Sequence, residues 1–182
     1  NGILSSISQS AVAFFGVYYK LQTFIYMPTS GIVQGMRPLM SYNYGAKLKE
    51  RMHQILKVSG LVIAAILGVG TLLFFIIPNV LLSLFNASSG MLEIGETGLR
   101  ILSLSFIVSS FGVLMSGVFE ALGLGKYSLT VSLLRQLLIT VPLAYILLNI
   151  MGIEGIWLSF VIAEAIASIV AYILYRKKFK TI

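Results

Sequence analysis

The 182 residues would make one domain of ordinary size, yet 58% of them are hydrophobic, only 10% are charged and the mean hydropathy is +0.96. Soluble domains are about 45–50% apolar and about 25% charged, so a soluble fold of this length could not bury so much apolar surface. The chain contains no Asp, and it contains no Cys, which excludes disulfides and thiol-based metal sites. This composition favours a membrane protein and excludes most soluble enzymes and nucleic-acid-binding modules.

The apolar residues fall into stretches that can cross a membrane. A transmembrane helix needs about 20 mostly apolar residues, and turn residues such as Pro78 and Gly123 separate one stretch from the next. The first stretch is longer than the others and contains Pro28 and Pro38, which usually bend a membrane helix. We therefore predict an all-α, polytopic membrane protein with five transmembrane helices, at about 11–41, 56–77, 94–121, 128–149 and 155–175.

The positive charge is distributed unevenly along the chain. The net charge is +7, and Lys and Arg are concentrated in 47–57, at Lys126 and in 176–180. The segments that alternate with these, 78–92 and 149–155, contain neither residue type. By the positive-inside rule, the basic segments and the C-terminus lie in the cytoplasm. Membrane topology therefore accounts for the charge, and we do not expect nucleic acid as a partner.

The same topology predicts that the chain belongs to a longer protein. The first helix would enter the membrane from outside, which requires an earlier crossing, and no basic segment or signal peptide precedes it. We therefore predict a C-terminal piece of a longer protein, in which residues 1–10 are the end of a missing helix.

Two charged residues lie deep within predicted helices. Charges inside a membrane are costly and usually face the interior of a bundle, so they are functional candidates. Lys20 is nine residues past Ala11 and Glu164 is nine residues past Gly155, which places both about 14 Å from the outer surface. We predict an ion pair between Lys20 and Glu164. It is either a static link between two helices or a Glu that gains and loses a proton beside a Lys.

Small and polar residues form stripes on two of the predicted helices. The stripe on the first helix is suited to lining a cavity and comprises Gly16, Lys20, Thr23, Met27, Gly31 and Gln34. The stripe on the third helix comprises Ser105, Ser109, Gly112 and Ser116. Small residues let membrane helices approach closely, so packing explains the second stripe most simply. A polar lining for a substrate is the alternative.

Arg135 lies about two turns inside the cytoplasmic end of the fourth helix. Its long side chain can reach the membrane surface or form a structural pair. The alternative is that it reaches towards Glu164.

No group of residues in the sequence forms a catalytic set. Asp is absent, the only His, His53, lies in a basic loop, and the glycines at 123–126 lack the spacing of a phosphate-binding loop. We therefore expect no enzymatic activity, no cofactor and no metal site. Uphill transport by such a protein would be driven by an ion gradient, H⁺ or Na⁺, rather than by bound ATP.

Four groups of segments carry a family resemblance. They are 11–21 with Met27-Pro28 and Gln34-Gly35-Met36, the turn 42–47, Leu133-Leu134-Arg135-Gln136 with Pro142, and Gly155-Ile156-Trp157 with Ala163-Glu164. Together they resemble the multidrug and toxic compound extrusion (MATE) family, in particular its bacterial drug-efflux branch. The first predicted helix resembles the family's eighth, and the resemblance extends over nearly the whole chain.

The resemblance implies a transporter of twelve helices in two six-helix lobes, in the bacterial inner membrane. Residues 1–182 would form most of the C-terminal lobe, with the N-terminal lobe absent as its principal partner. Such transporters exchange organic cations and drugs for protons or sodium ions by alternating access of the lobes. The tenth-helix Asp of some sodium-coupled members has no counterpart here, so the resemblance does not imply a sodium site of that type.

Together, the residues and the resemblance predict a substrate and ion pathway. It comprises Lys20, Thr23, Met27, Gln34, Ser105, Ser109, Ser116, Arg135 and Glu164. The first hypothesis is a secondary active multidrug efflux antiporter, of which this chain alone would be inactive. One alternative is a lipid-linked oligosaccharide flippase, although flippases tend to carry more cationic cavity residues than Lys20. Another is a membrane scaffold module that transports nothing.

Overall fold

The computed structural model describes residues 8–179, and every regular element in this stretch is helical. Serine side chains cap two of the long helices: Ser8 accepts a hydrogen bond from the Ala11 N–H at 3.0 Å, and Ser88 accepts one from the Met91 N–H. The elements in chain order are α1 (Gln9–Gly45), α2 (Lys49–Ile76), α3 (Pro78–Ser83), α4 (Ser89–Ala121), α5 (Gly125–Leu133), a π-helical segment (Leu134–Leu138), α6 (Thr140–Met151) and α7 (Ile153–Phe179).

Helix α4 is the centre of the bundle. It packs against α1, α2, α5 and α7. In an apolar stretch of 18 residues within α4, 56% of the residues are buried, a larger share than in the corresponding stretches of α2, α5–α6 and α7. Gly95 and Gly98 of α4 lie so close to the Phe14 ring that an added Cβ would come within 2.9 and 2.6 Å of ring carbons. The small residues of α4 therefore permit the close approach of its neighbours.

Helices α1, α4 and α7 run in the same direction. Two contacts follow one another along α1 and α4: Tyr26 with Ser109, and Arg37 with Glu120. Two more follow one another along α4 and α7: Gly98 lies beside Trp157, and the Val108 carbonyl accepts from Ser168. The basic residues at 47–57, Lys126 and 176–178 lie where these three helices end or the next one begins. We call this the basic end of the bundle.

Polar contacts fix the register of α4 against two neighbours. The Thr71 hydroxyl of α2 donates to the Ser103 carbonyl at 2.9 Å, and the Ser168 hydroxyl of α7 donates to the Val108 carbonyl at 2.9 Å. Interhelical hydrogen bonds in membrane proteins contribute about 0.6 kcal/mol each on average. These contacts therefore specify which residues face each other more than they stabilise the bundle.

The all-α class predicted from the sequence is confirmed. Among the described residues, four helices are long and apolar enough to cross a membrane, and they overlap four of the five predicted crossings. They are Lys49–Ile76, Ser89–Ala121, Gly125–Met151 and Ile153–Lys178. The predicted crossing at 11–41 lies within α1, which is long enough but less apolar because polar residues line one side. A fifth crossing stays a prediction.

The break predicted at Pro78 is present, since α2 ends at Ile76. The connection also contains the short helix α3, which Pro78 begins and where its missing N–H costs no hydrogen bond. The predicted remnant at 1–10 is wrong at Gln9 and Ser10, which belong to α1. Residues 1–7 of that remnant lie outside the described residues.

Candidate functional site

A cavity of about 520 Å³ with both polar and apolar lining lies between α1, the π segment with the start of α6, and α7. Its wall combines an acid, a base, amides, hydroxyls and aromatic rings. The lining residues are Tyr19, Gln22, Thr23, Tyr26, Met27, Ser30, Arg135, Gln136, Thr140, Phe160 and Glu164. We call it the Glu164 cavity.

Arg135 and Glu164 form an ion pair in the wall of this cavity. The Arg135 Nε lies 3.6 Å from the Glu164 Oε1, and their side chains are 23% and 14% exposed. The other carboxylate oxygen, Oε2, is buried and has no hydrogen-bond partner among the described residues. A carboxylate with one such oxygen retains the capacity to accept a proton or a further donor.

The π segment positions Arg135 in the wall. The Ile139 N–H donates to the Leu134 carbonyl at 3.0 Å, which is the spacing of a π turn. The Thr140 hydroxyl donates to the Arg135 carbonyl, and Pro142 lacks the N–H of a regular helix. The helix is therefore widened at the residue that pairs with Glu164. π-helical turns within α-helices occur frequently at functional sites.

Helix α1 supplies an aromatic and polar wall. The Tyr26 hydroxyl lies 2.6 Å from the Ser109 Oγ, which fixes the ring at the cavity edge. Thr23 donates to the Tyr19 carbonyl at 2.8 Å, and Met27 is 63% exposed beside them. Thr23 and Met27 of the predicted stripe therefore lie in the wall, and their part in a pathway stays a prediction.

The predicted Lys20–Glu164 ion pair is wrong. The depth is as expected, since Lys20 lies six residues beyond Phe14, Glu164 lies seven beyond Trp157, and those two rings are in contact. However, Lys20 does not line the Glu164 cavity, although its helical neighbours Tyr19 and Thr23 do. It is exposed, and among the described residues Glu164 pairs with Arg135. The alternative considered for Arg135 is therefore the one observed.

The remaining predicted residues divide between packing and a second cavity. The Ser105 hydroxyl donates to the Leu102 carbonyl inside the bundle, and Ser109 reaches the Glu164 cavity only through Tyr26. Gln34 and Ser116 line a separate cavity of about 310 Å³ towards the basic end. The described residues contain no group of three or more metal-ligating side chains of the His, Asp and Glu types.

Sequence reasoning missed the residues that give the Glu164 cavity most of its shape. These are Tyr19, Gln22, Tyr26, Gln136, Thr140 and Phe160. A signal was present for the first three, because they follow the i, i+3, i+7 spacing of one helix face. That face lies beside the chosen stripe rather than on it.

A protein-family comparison identifies the chain. The MatE family model matches residues 1–146, which is most of the sequence and includes Arg135. The chain belongs to the MatE family. This confirms the family resemblance found in the sequence.

Curated relatives of the chain include multidrug export proteins. The chain is 26% identical over 174 residues to the multidrug export protein MepA of Staphylococcus saprophyticus, and 25% identical over 174 residues to MepA of Staphylococcus aureus strain bovine RF122 / ET3-1. Each alignment covers 96% of this chain but 38% of the relative. The chain therefore spans well under half the length of these exporters.

Solved MATE structures contain the same bundle. The Vibrio cholerae MATE transporter VcmN in the bent form matches with a TM-score of 0.91 at 22% identity, over 99% of this chain and 41% of VcmN. A MOP superfamily transporter from Pyrococcus furiosus matches with a TM-score of 0.88 at 21% identity, over 94% of this chain and 39% of that one. At such identities the likeness shows the fold alone.

A double-mutant cycle tests which base pairs with Glu164. The thermal unfolding of the purified protein in detergent would be compared for Arg135→Gln, Glu164→Gln and the double variant. We expect a coupling energy of at least about 0.5 kcal/mol, as is usual for residues in contact. The matched cycle with Lys20→Gln is expected to give none. Coupling confined to Lys20 and Glu164 would contradict the observed pairing.

Proposed function

We propose that residues 1–182 are the C-terminal lobe of a secondary active multidrug efflux antiporter. It would export organic cations in exchange for protons or sodium ions through the Glu164 cavity. The observation that carries this proposal is Glu164, which lies within the apolar span Ile153–Lys178, is paired on one oxygen with Arg135, and has no partner among the described residues on the other. Charges at such depth usually mark substrate or ion pathways.

The chemistry of this carboxylate supports exchange rather than simple binding. Arg135, a bound organic cation and a proton are three alternative partners for Glu164, and each neutralises the charge that attracts the others. Binding of one partner therefore lowers the affinity for the others, and this coupling applies equally in both directions. Competition at one carboxylate is sufficient to couple the exit of a drug to the entry of an ion.

The aromatic wall supports organic cations as the transported class. Tyr19, Tyr26 and Phe160 line the cavity beside Glu164. A cation over the face of such a ring gains about 0.5–2 kcal/mol, more when water is excluded. Thr23 and Ser30 add hydroxyl groups at the same wall. This combination suits a flat or bulky cation better than a strongly hydrated metal ion.

The proposal requires a second lobe. Alternating access in such transporters comes from one repeat moving against another around a shared site. The chain spans 38% of MepA, so we propose that the remaining length supplies the N-terminal lobe and closes the Glu164 cavity. The fragment alone would then be inactive. The whole transporter would lie in the bacterial inner membrane, with the basic end and the C-terminus in the cytoplasm.

Reconstituted vesicles test the function directly. The full-length transporter is expected to drive efflux of a fluorescent organic cation when a proton or a sodium gradient is imposed. Imposing the two gradients separately identifies the coupling ion, and the 182-residue chain alone is expected to move nothing. Transport by the chain alone would contradict the two-lobe proposal. Flipping of a lipid-linked oligosaccharide without cation efflux would favour the flippase alternative.

A further inference from the structure

The second cavity neighbours the Glu164 cavity. It has a volume of about 310 Å³ and lies between α1, α4 and the helix formed by α5 and the π segment. Ser30 and Arg135 line both cavities, so these two residues stand between the two spaces. Arg135, the ion-pair partner of Glu164, therefore borders both cavities.

An ionic cluster occupies the end of the second cavity nearest the basic end. Arg37 of α1 forms an ion pair with Glu120 of α4, and Ser128 of α5 donates to the Glu120 Oε1 at 2.8 Å. Glu120 is the penultimate residue of α4, so the cluster lies where α4 ends and α5 begins. The Arg37 and Glu120 side chains are 40% and 37% exposed, which places the cluster at the boundary with solvent.

The wall of the second cavity is polar between Arg135 at one end and the ionic cluster at the other. It includes the side chains of Gln34, Ser116 and Ser132. Pro38 has no N–H, so the carbonyl of Gln34 lacks its usual helical donor. The Arg37 Nε is buried and has no hydrogen-bond partner among the described residues. Buried polar groups without protein partners are commonly satisfied by water, which needs two to four such groups and enough room.

We infer that the second cavity is a hydrated path that gives water and protons access to Glu164 from the basic end. The Arg37–Glu120–Ser128 cluster closes its mouth. The path rests on the proposed function and extends it. An exchanged proton that reached Glu164 from the opposite side of the membrane would leave through this path at the basic end. The access of water-soluble reagents to this path can nevertheless be measured without measuring transport.

The absence of cysteine from the chain makes this access measurable. Ser116→Cys and Ser132→Cys would be introduced singly into the full-length protein, after any cysteines outside this chain have been replaced. Sealed vesicles would be treated on one side or the other with a membrane-impermeant cationic methanethiosulfonate. Ser103→Cys is the matched control, because Ser103 lies on the same helix as Ser116 and is fully buried against α2.

Both reporter cysteines are expected to react from the basic end, many times faster than the Ser103→Cys control. Adding Glu120→Gln is expected to raise their rates by about tenfold or more, because a hydrogen bond to a charged group contributes about 1.5–3 kcal/mol and about 1.4 kcal/mol is a factor of ten. If a serine variant fails to fold, Gln34→Cys reports on the same wall.

Reaction no faster than the control, or only from the side opposite the basic end, would overturn the inference. An unchanged rate after Glu120→Gln would show that the cluster does not close the path. Cysteine labelling without any cation efflux would count against the proposed function and leave the path standing. Cation efflux without cysteine labelling would overturn the hydrated path and leave the proposed function standing. The two proposals can therefore fail separately.

Discussion

Glu164→Gln in the full-length transporter is expected to reduce organic-cation efflux by about 10- to 100-fold. Gln has the size of Glu but carries no charge and cannot take up an exchanged proton. The lost interactions are those of a charged group, which contribute about 1.5–3 kcal/mol each, and about 1.4 kcal/mol changes a rate or affinity tenfold. Initial rates of dye efflux from vesicles, at matched protein amounts, measure the effect.

The chain offers a matched control for Glu164→Gln. Glu96 also pairs with an arginine, since Arg100 lies 2.8 Å away, but the Glu96 side chain is 37% exposed at the other end of the bundle. Exposed pairs contribute little, about 0–1 kcal/mol, so Glu96→Gln is expected to leave efflux near the wild-type rate. Efflux by Glu164→Gln at the wild-type rate would show that the membrane pair is only structural.

Depth in the membrane could be predicted from the sequence, but rotation about the helix axis could not. The rise per helical residue is fixed at about 1.5 Å, so counting from Ala11 and Gly155 was sufficient to place Lys20 and Glu164 at one level. The face that turns inward depends on the contacts of the whole bundle. Burial of Phe14 and Tyr18 sets the rotation of α1, and the face that carries Tyr19, Gln22 and Tyr26 is not the one chosen from the sequence.

The sequence left two candidate partners for Glu164, Lys20 and Arg135, and could not decide between them. A π turn inserts an extra residue relative to an α-helix and rotates the helical residues after it. Regular α-helical counting along 128–149 therefore misplaces Arg135 relative to the residues that follow Leu138. Pro142 is the only local signal for the irregularity, and proline is equally compatible with a simple bend. The pairing of Arg37 with Glu120 was missed because it joins residues far apart in sequence.

The helices could be predicted more fully than the site. Apolar length locates membrane spans because an unsatisfied backbone group in lipid is so costly. The predicted bounds are nevertheless short, as α2 begins at Lys49 rather than at 56 and α7 continues to Phe179 rather than to 175. Polar and basic residues extend these helices beyond the apolar zone, where hydropathy gives no signal.

Gly98→Ala is expected to destabilise the bundle by about 1–3 kcal/mol, the usual cost of overpacking. A Cβ at Gly98 would lie 2.6 Å from two ring carbons of Phe14 and 3.3 Å from the Trp157 Nε1. Phe14 has no room to withdraw, since it is fully buried, contacts Trp157 and also lies against Gly95. Thermal unfolding of the purified full-length protein in detergent measures the loss.

Gly16→Ala is the matched control, and its effect is expected to have the opposite sign. Gly16 is also helical, but a Cβ there would meet nothing within 4 Å, and Ala is favoured over Gly within a helix by about 0.8–1.0 kcal/mol. If Gly98→Ala stabilised the protein as Gly16→Ala does, Phe14, Gly98 and Trp157 could not share one level. The alignment of α1 with α7 that brings Tyr26 and Glu164 to one cavity would then be wrong, because that alignment depends on this contact.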